Sequence, residues 1–293
     1  MSGVASRADE SHWDGMDAEN GQVVLVTGAS AGIGEAIVRR LVRGGARVAC
    51  TARRADRLEA LRADVDPDGT RVLVLPGDVT SAEDRLRWIE SVRARWGRID
   101  ALVNNAGYGE RGPVERVSVE RIRRNFETNV FALVALTQLA IPHMRAQGGG
   151  RIVHIGSIAG RIARPFSSVY DATKHALNAL ADGMRGELRP FGIDVVVIEP
   201  GMILSEFVAA ADAASAEFLA DKGLYAERWA NVERGFDRVR RLAGTPDDIA
   251  RLVERALCAR RPRSRYCGPL HAKLGLFLRW LLPDRAFDAI FRA

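Results

Sequence analysis

Tyr170 and Lys174 stand four residues apart in Tyr170-Asp171-Ala172-Thr173-Lys174, a spacing that puts both side chains on one face of a helix. The pair has a chemical use. A phenol with an unperturbed pKa of about 10 is a poor acid or base near neutrality, but a neighbouring lysine ammonium stabilises the phenolate and draws that value down. Tyr170 can then give a proton to a carbonyl oxygen or take one from an alcohol. Ser157, thirteen residues upstream, offers a hydroxyl that can hydrogen-bond the same substrate oxygen and orient it. Each feature alone is ordinary, because Tyr-x-x-x-Lys pairs occur on surface helices and a serine after a strand is usually a cap or a turn.

A second constellation lies near the start of the chain. The β-branched run Val23–Val26 leads into Thr27-Gly28-Ala29-Ser30-Ala31-Gly32-Ile33-Gly34, just before a segment with helical spacing. Gly28, Gly32 and Gly34, with Ser30, Ala31 and Ile33 between them, let a backbone turn tightly and approach a pyrophosphate, which a helix N-terminus favours electrostatically. The spacing is Gly-x-x-x-Gly-x-Gly rather than the commoner Gly-x-Gly-x-x-Gly.

The elements that must position these groups alternate regularly. Short apolar runs at Val23–Val26, Arg47–Thr51, Val72–Leu75, Ile99–Val103, Arg151–Ile155 and Ile193–Ile198 read as strands. Between them, Gly32–Gly44, Leu58–Leu61, Ala82–Trp96, Val117–Met144 and Ser168–Leu188 are helical in pattern. Strands without strict polar alternation belong to a parallel sheet buried on both faces. Right-handed crossovers then give a doubly wound α/β fold of three layers. Ligands bind such sheets outside the carboxyl ends of the strands. Gly28, Asp78, Asn104, Ser157 and Pro200 each follow a strand, so they converge on one rim. Thr245-Pro246-Asp247-Asp248 marks a helix start, with Thr245 as N-cap, and a last strand is expected near Arg265–Gly268.

The ordered set of motifs resembles the short-chain dehydrogenase/reductase family, from about Gln22 to Gly201. The set comprises the Thr27–Gly34 loop, Asp78-Val79, Asn104-Asn105-Ala106-Gly107, Asn129, Ser157, Tyr170-x-x-x-Lys174 and Pro200-Gly201. The resemblance implies a Rossmann fold and hydride transfer between a nicotinamide cofactor and an alcohol or ketone. It places Asp78 and Val79 about the adenine, Asn104 along the adenosine ribose, and Ala106 and Gly107 in the cofactor site with Pro200 and Gly201. It puts the Ile203 backbone at the nicotinamide carboxamide, and Ser205 where the family often has threonine. Asn129 becomes a fourth catalytic member that kinks its helix and holds a water of a proton relay to Lys174, which also meets the nicotinamide ribose. The second strand ends Ala52-Arg53-Arg54, with Ala52 where an NAD-binding member would carry an acid. Arg53 suits a 2′-phosphate, so NADP(H) is expected over NAD(H).

Of 43 basic residues only Lys174, Lys222 and Lys273 are lysine; the other forty are arginine, and with 37 acids the formal net charge is +6. The arginines are scattered without interleaved aromatics, which argues against nucleic acid. Cys50, Cys258 and Cys267 have no paired spacing, so neither a disulfide framework nor a metal site is expected. No targeting segment and no membrane-spanning run is apparent. Residues 1–20 read as a disordered tail, residues 21–268 as one domain, and a cytoplasmic setting is expected. Residues 205–243 fall where the family's substrate lid lies. Their aromatics suit either a sizeable apolar substrate or packing on the domain. An amphipathic extension at 269–293 carries Leu270, Leu274, Phe277, Leu278 and Leu281 on one face. It could lie on a membrane surface, extend the cleft or make a dimer contact. The resemblance implies a homodimer or homotetramer built on helices around 118–146 and 168–188. Two functions follow: an oxidoreductase for a hydrophobic secondary alcohol or ketone, steroid-, retinoid- or lipid-like, or an NADP(H)-binding sensor or scaffold without significant turnover.

Overall fold

A computed structural model describes residues 21–291, so the expected disordered tail at 1–20 lies outside the described residues. Seven strands form one parallel sheet in the order β3-β2-β1-β4-β5-β6-β7. They are β1 (Val23–Thr27), β2 (Arg47–Ala52), β3 (Val72–Pro76), β4 (Ala101–Asn104), β5 (Gly150–Ile155), β6 (Ile193–Pro200) and β7 (Arg265–Gly268). The order reverses between β1 and β4, the switch point where an open α/β sheet leaves its crevice.

Alternate residues of each strand serve opposite layers. Val24 and Val26 of β1 pack towards α1 (Gly32–Arg43), α2 (Ala55–Val65) and α10 (Pro246–Cys258), whereas Val23 and Leu25 pack towards α3 (Ala82–Trp96), α5 (Ala132–Ala146) and α6 (Ser168–Leu188). All four are fully buried. Each such side chain contributes about 1.5–3 kcal/mol relative to exposure, which is why β-branched runs without alternation settle in the sheet centre. The predicted start of α10 is present as a full capping box, with Thr245 and Asp248 bonding each other's backbone N–H.

The stretch expected as one helix over 117–144 is instead α4 (Val119–Phe126), a π-helical turn at Glu127–Phe131, and α5. The wide turn swings Asn129 inward, where it is 1% exposed. The lid folds as α7 (Phe207–Ala214), α8 (Ala216–Ala220) and α9 (Ala226–Arg240), and the chain ends in α11 (Leu270–Leu281) and α12 (Asp284–Phe291). Phe218, Tyr225 and Trp229 of the lid gather on Phe166, at ring separations of 5.9, 5.8 and 5.5 Å. Those aromatics therefore pack the lid on the domain. Phe207 goes the other way, its ring centred 5.5 Å from that of Tyr170.

The two ends of the lid are fastened together. Gly244 N–H donates to Met202 O and Leu204 N–H to Gly244 O, both at 3.0 Å, making a short parallel bridge between Ile203 and Gly244. No helix among the described residues is long and apolar enough to cross a membrane.

Candidate active site

The carboxyl ends of β1 to β6 open onto one cleft of about 1510 Å³. At its cofactor end the glycine loop is held by the segment after β4. Thr27 Oγ1 accepts from the Asn105 and Ala106 amides, each at 3.0 Å, and the Asn105 side-chain amide donates to the Thr27 and Gly28 carbonyls. Gly28 has φ +66°, a left-handed conformation that glycine adopts without steric cost. A Cβ on Gly34 would sit 2.2 Å from Gly28 O, so glycine there permits the loop to close on α1. The N-cap residue of α1, Ala31, offers no side-chain cap, leaving the helix's first amides free for an anion. These features fit a pyrophosphate.

The catalytic candidates lie at the other end. Ser157, Tyr170 and Lys174 all line the cleft. Ser157 Oγ donates to Pro200 O at 3.3 Å and accepts from Ala159 N–H at 3.1 Å. Lys174 Nζ donates to Ile155 O at 2.8 Å and lies 5.8 Å from the Tyr170 ring centre. Tyr170 is set by the start of α6, where the fully buried Asp171 receives two guanidinium bonds and the backbone N–H of Arg164. Asn129 clamps the backbone of Tyr108, accepting from its N–H at 3.0 Å and donating to its carbonyl at 2.9 Å, and also donates to Thr173 Oγ1. Gly107 lies between Asn129 and Lys174: a Cβ there would stand 3.0 Å from Asn129 Oδ1 and 3.9 Å from Lys174 Nζ.

One electrostatic expectation is reversed inside the polypeptide. Burial pushes the Tyr170 phenol up to about 12, opposed by the nearby Arg164 guanidinium and the Ser157 side chain rather than by Lys174. The same burial brings the Lys174 ammonium down to about 8. Desolvation penalises the charged form of both groups, an effect that spacing along a helix does not reveal.

Of the cofactor residues, Ser30, Ala31, Gly32, Ile33, Arg53, Asp78, Val79, Ala106, Gly107, Pro200, Gly201, Ile203 and Ser205 line the cleft with Gly28. Gly34 lies beneath the loop. Asn104 is not brought to the cleft: it is 2% exposed, and its amide donates to Thr137 Oγ1 (3.0 Å) and to His154 Nδ1 (3.2 Å). Its neighbour Asn105 takes the place at the rim. His154 is fully buried, and burial with the nearby Lys174 pushes its pKa down to about 3. The unfolded chain takes up this proton as pH falls below about 6.5 whereas the folded chain refuses it. Stability is therefore complete above that value and falls by roughly 1 kcal/mol per pH unit below it. Denaturant unfolding at pH steps from about 6.5 to 4 should show this fall, and His154→Asn should flatten it. Parallel profiles for the two proteins would refute the assignment.

Two sets of contacts were not legible in sequence. Arg54 bonds Ser30 Oγ through Nε and Nη2 at 3.1 and 3.0 Å, and Arg54 and Arg57 together grip the Glu206 carboxylate at 2.9 and 2.6 Å. An anion supplied by the lid thus sits among the arginines that follow β2. In addition, His271 of α11 fastens the loop that leads into the lid. Its Nε2 accepts from Met202 N–H at 3.0 Å. Only a neutral imidazole can accept there, and burial lowers its pKa. With a net value near 1 kcal/mol per hydrogen bond, His271→Ala should loosen the loop after β6 and raise the KM for cofactor about fivefold or more. An unchanged KM in steady-state assays would show that the loop holds without it.

Fold and cleft together define a dinucleotide-binding α/β protein. The family model described as short chain dehydrogenase matches residues 22–216, and the chain belongs to the short-chain dehydrogenase/reductase family, oxidoreductases acting on CH–OH and C=O groups. A curated relative, the NADPH-dependent 3-dehydrocapnine reductase of Ornithobacterium rhinotracheale, is 30% identical over 91% of this chain and 95% of its own. Among solved structures, a short-chain dehydrogenase from Streptomyces avermitilis superposes with a TM-score of 0.74 at 31% identity, covering 94% of this chain and 97% of that one. A serine dehydrogenase complexed with NADP+ gives 0.71 at 29%, covering 85% and 96%.

Proposed function

We propose that the protein is an NADP(H)-dependent oxidoreductase for an apolar secondary alcohol or ketone, with Ser157, Tyr170, Lys174 and Asn129 as its catalytic set. The observation that carries this reading is that Ser157, Tyr170 and the buried Lys174 line one cleft, with Tyr170 against the Phe207 ring. When bound, the nicotinamide would give or accept the hydride. The chain's part is to place the substrate oxygen between the Ser157 and Tyr170 hydroxyls and to move one proton at Tyr170 Oη. Lys174 holds positive charge beneath that proton, and Asn129 fixes the Gly107–Tyr108 backbone against it.

The missing acid at Ala52, with Arg53 at the cleft and Arg54 beside Ser30, favours a 2′-phosphate. Glu206 already demonstrates that Arg54 and Arg57 can hold an anion. The NADPH dependence of the relative from Ornithobacterium and the NADP+ bound to the serine dehydrogenase support this preference. Phe207, Val208 and Phe236 on the cleft wall suit an apolar substrate body. Val119, Phe131 and Leu180, exposed on α4, the π turn and α6, suit a homo-oligomer contact.

The test is NADPH consumption across a panel of ketones graded from small and polar to large and apolar. Turnover that rises with apolar size supports the reading. Tight NADPH binding with no turnover on any of them would favour the sensor instead.

A further inference from the structure

Helix α11 is inverted relative to an ordinary surface helix, which buries its apolar stripe. Ala272 is buried beneath it, while Leu270, Leu274, Phe277, Trp280 and Leu281 are 52–79% exposed. Lys273 is exposed on the same arc. The end of the lid lies against the start of this helix: a Cβ on Gly244 would stand 3.0 Å from Pro269 Cγ, and Arg238, Val239, His271 and Gly275 share one cleft wall. That end reads Arg238-Val239-Arg240-Arg241-Leu242, with Val239 and Leu242 38% and 65% exposed and all three arginines exposed. Arg285 of α12 is exposed as well. The acids here are Asp237 on α9, and Asp284, which pairs with Arg279 at 2.7 Å, and Asp288. The result is one surface of large apolar side chains interspersed with cations.

The geometry points to an anionic lipid bilayer as the occupant of this surface. Self-association about a two-fold axis would set the patch against its own copy, bringing Lys273 and the arginines against like charges. A bilayer carrying anionic lipid satisfies both components. Leucine and phenylalanine enter the boundary between headgroup and acyl chain, an indole lies at the interface, and each cation gains from the negative surface. Arg238, Val239, His271 and Gly275 also line the cleft, so its mouth opens towards the lipid. The docking stands by itself; passage of an apolar substrate from bilayer to cleft rests on the oxidoreductase reading.

The experiment is flotation of the full chain with phosphatidylcholine vesicles, with and without phosphatidylglycerol, at low and high salt. Binding is expected to the anionic vesicles only, and to weaken with salt. Leu274→Glu/Phe277→Glu should abolish it. Arg240→Glu/Arg241→Glu should reduce partition about fivefold or more per removed cation, with turnover of a water-soluble ketone unchanged. Absence of wild-type binding to anionic vesicles overturns the proposal. So does a dimer, measured by light scattering, that Leu274→Glu/Phe277→Glu converts to monomer while vesicle binding is undiminished. Because binding is the readout, loss of docking and loss of turnover are distinguishable.

Discussion

Replacing Tyr170 by phenylalanine is expected to lower kcat by about a thousandfold or more, within the range for removing a positioned general acid, while NADPH fluorescence still reports binding. The change removes one oxygen from a side chain that is 8% exposed and packed on Phe207, so the fold has little reason to respond. What disappears is the cleft-lining hydroxyl assigned to exchange a proton with the substrate oxygen. With the phenol pushed up to about 12 by burial, Tyr170 is protonated at neutral pH, the form that donates during reduction. In oxidation it must lose that proton, so the oxidative rate should climb with pH further into the alkaline range than the reductive rate. A Tyr170→Phe enzyme of ordinary turnover would remove the basis of the assignment.

The second large effect concerns the other end of the cleft. Arg53→Ala/Arg54→Ala should raise KM for NADPH roughly ten- to a hundredfold, since a hydrogen bond to a charged group is worth about 1.5–3 kcal/mol, and leave KM for NADH nearly unchanged. The two cofactors differ only at the ribose 2′ position, so a loss restricted to NADPH locates the phosphate at these arginines. Equal losses with both cofactors would instead point to general damage to the loop around Ser30, whose hydroxyl Arg54 also grips.

The sheet was legible because its strands are short apolar runs with no other stable home, and because the glycine loop, Ser157 and Tyr170-x-x-x-Lys174 each sit where a strand or helix must deliver them. The limits had physical causes. The apolar periodicity of 117–144 continues through the π turn, so periodicity alone did not mark the break at Asn129, and only the family resemblance pointed to a kink there. Arg54 and Glu206 are 152 residues apart, and only the folded lid brings them together. Asn104 and Asn105 are adjacent and identical in type, yet one enters the core and the other clamps the glycine loop. For α11 the spacing gave the apolar face but not its direction, because periodicity says which side chains share a side and tertiary packing decides whether that side is covered.

The bridge between Ile203 and Gly244 gives the lid the character of a cartridge. Residues 205–243 leave the sheet and return to it at almost the same point, and within that span Phe218, Tyr225 and Trp229 share a small core anchored on Phe166. Loop-closure cost grows only with the logarithm of length, so an excursion joined at its base can lengthen, shorten or be exchanged at little expense to the sheet below. The sheet floor that carries Ser157 and the segment that roofs it are thus physically separable parts, open to change at different rates, with His271 as the pin between them.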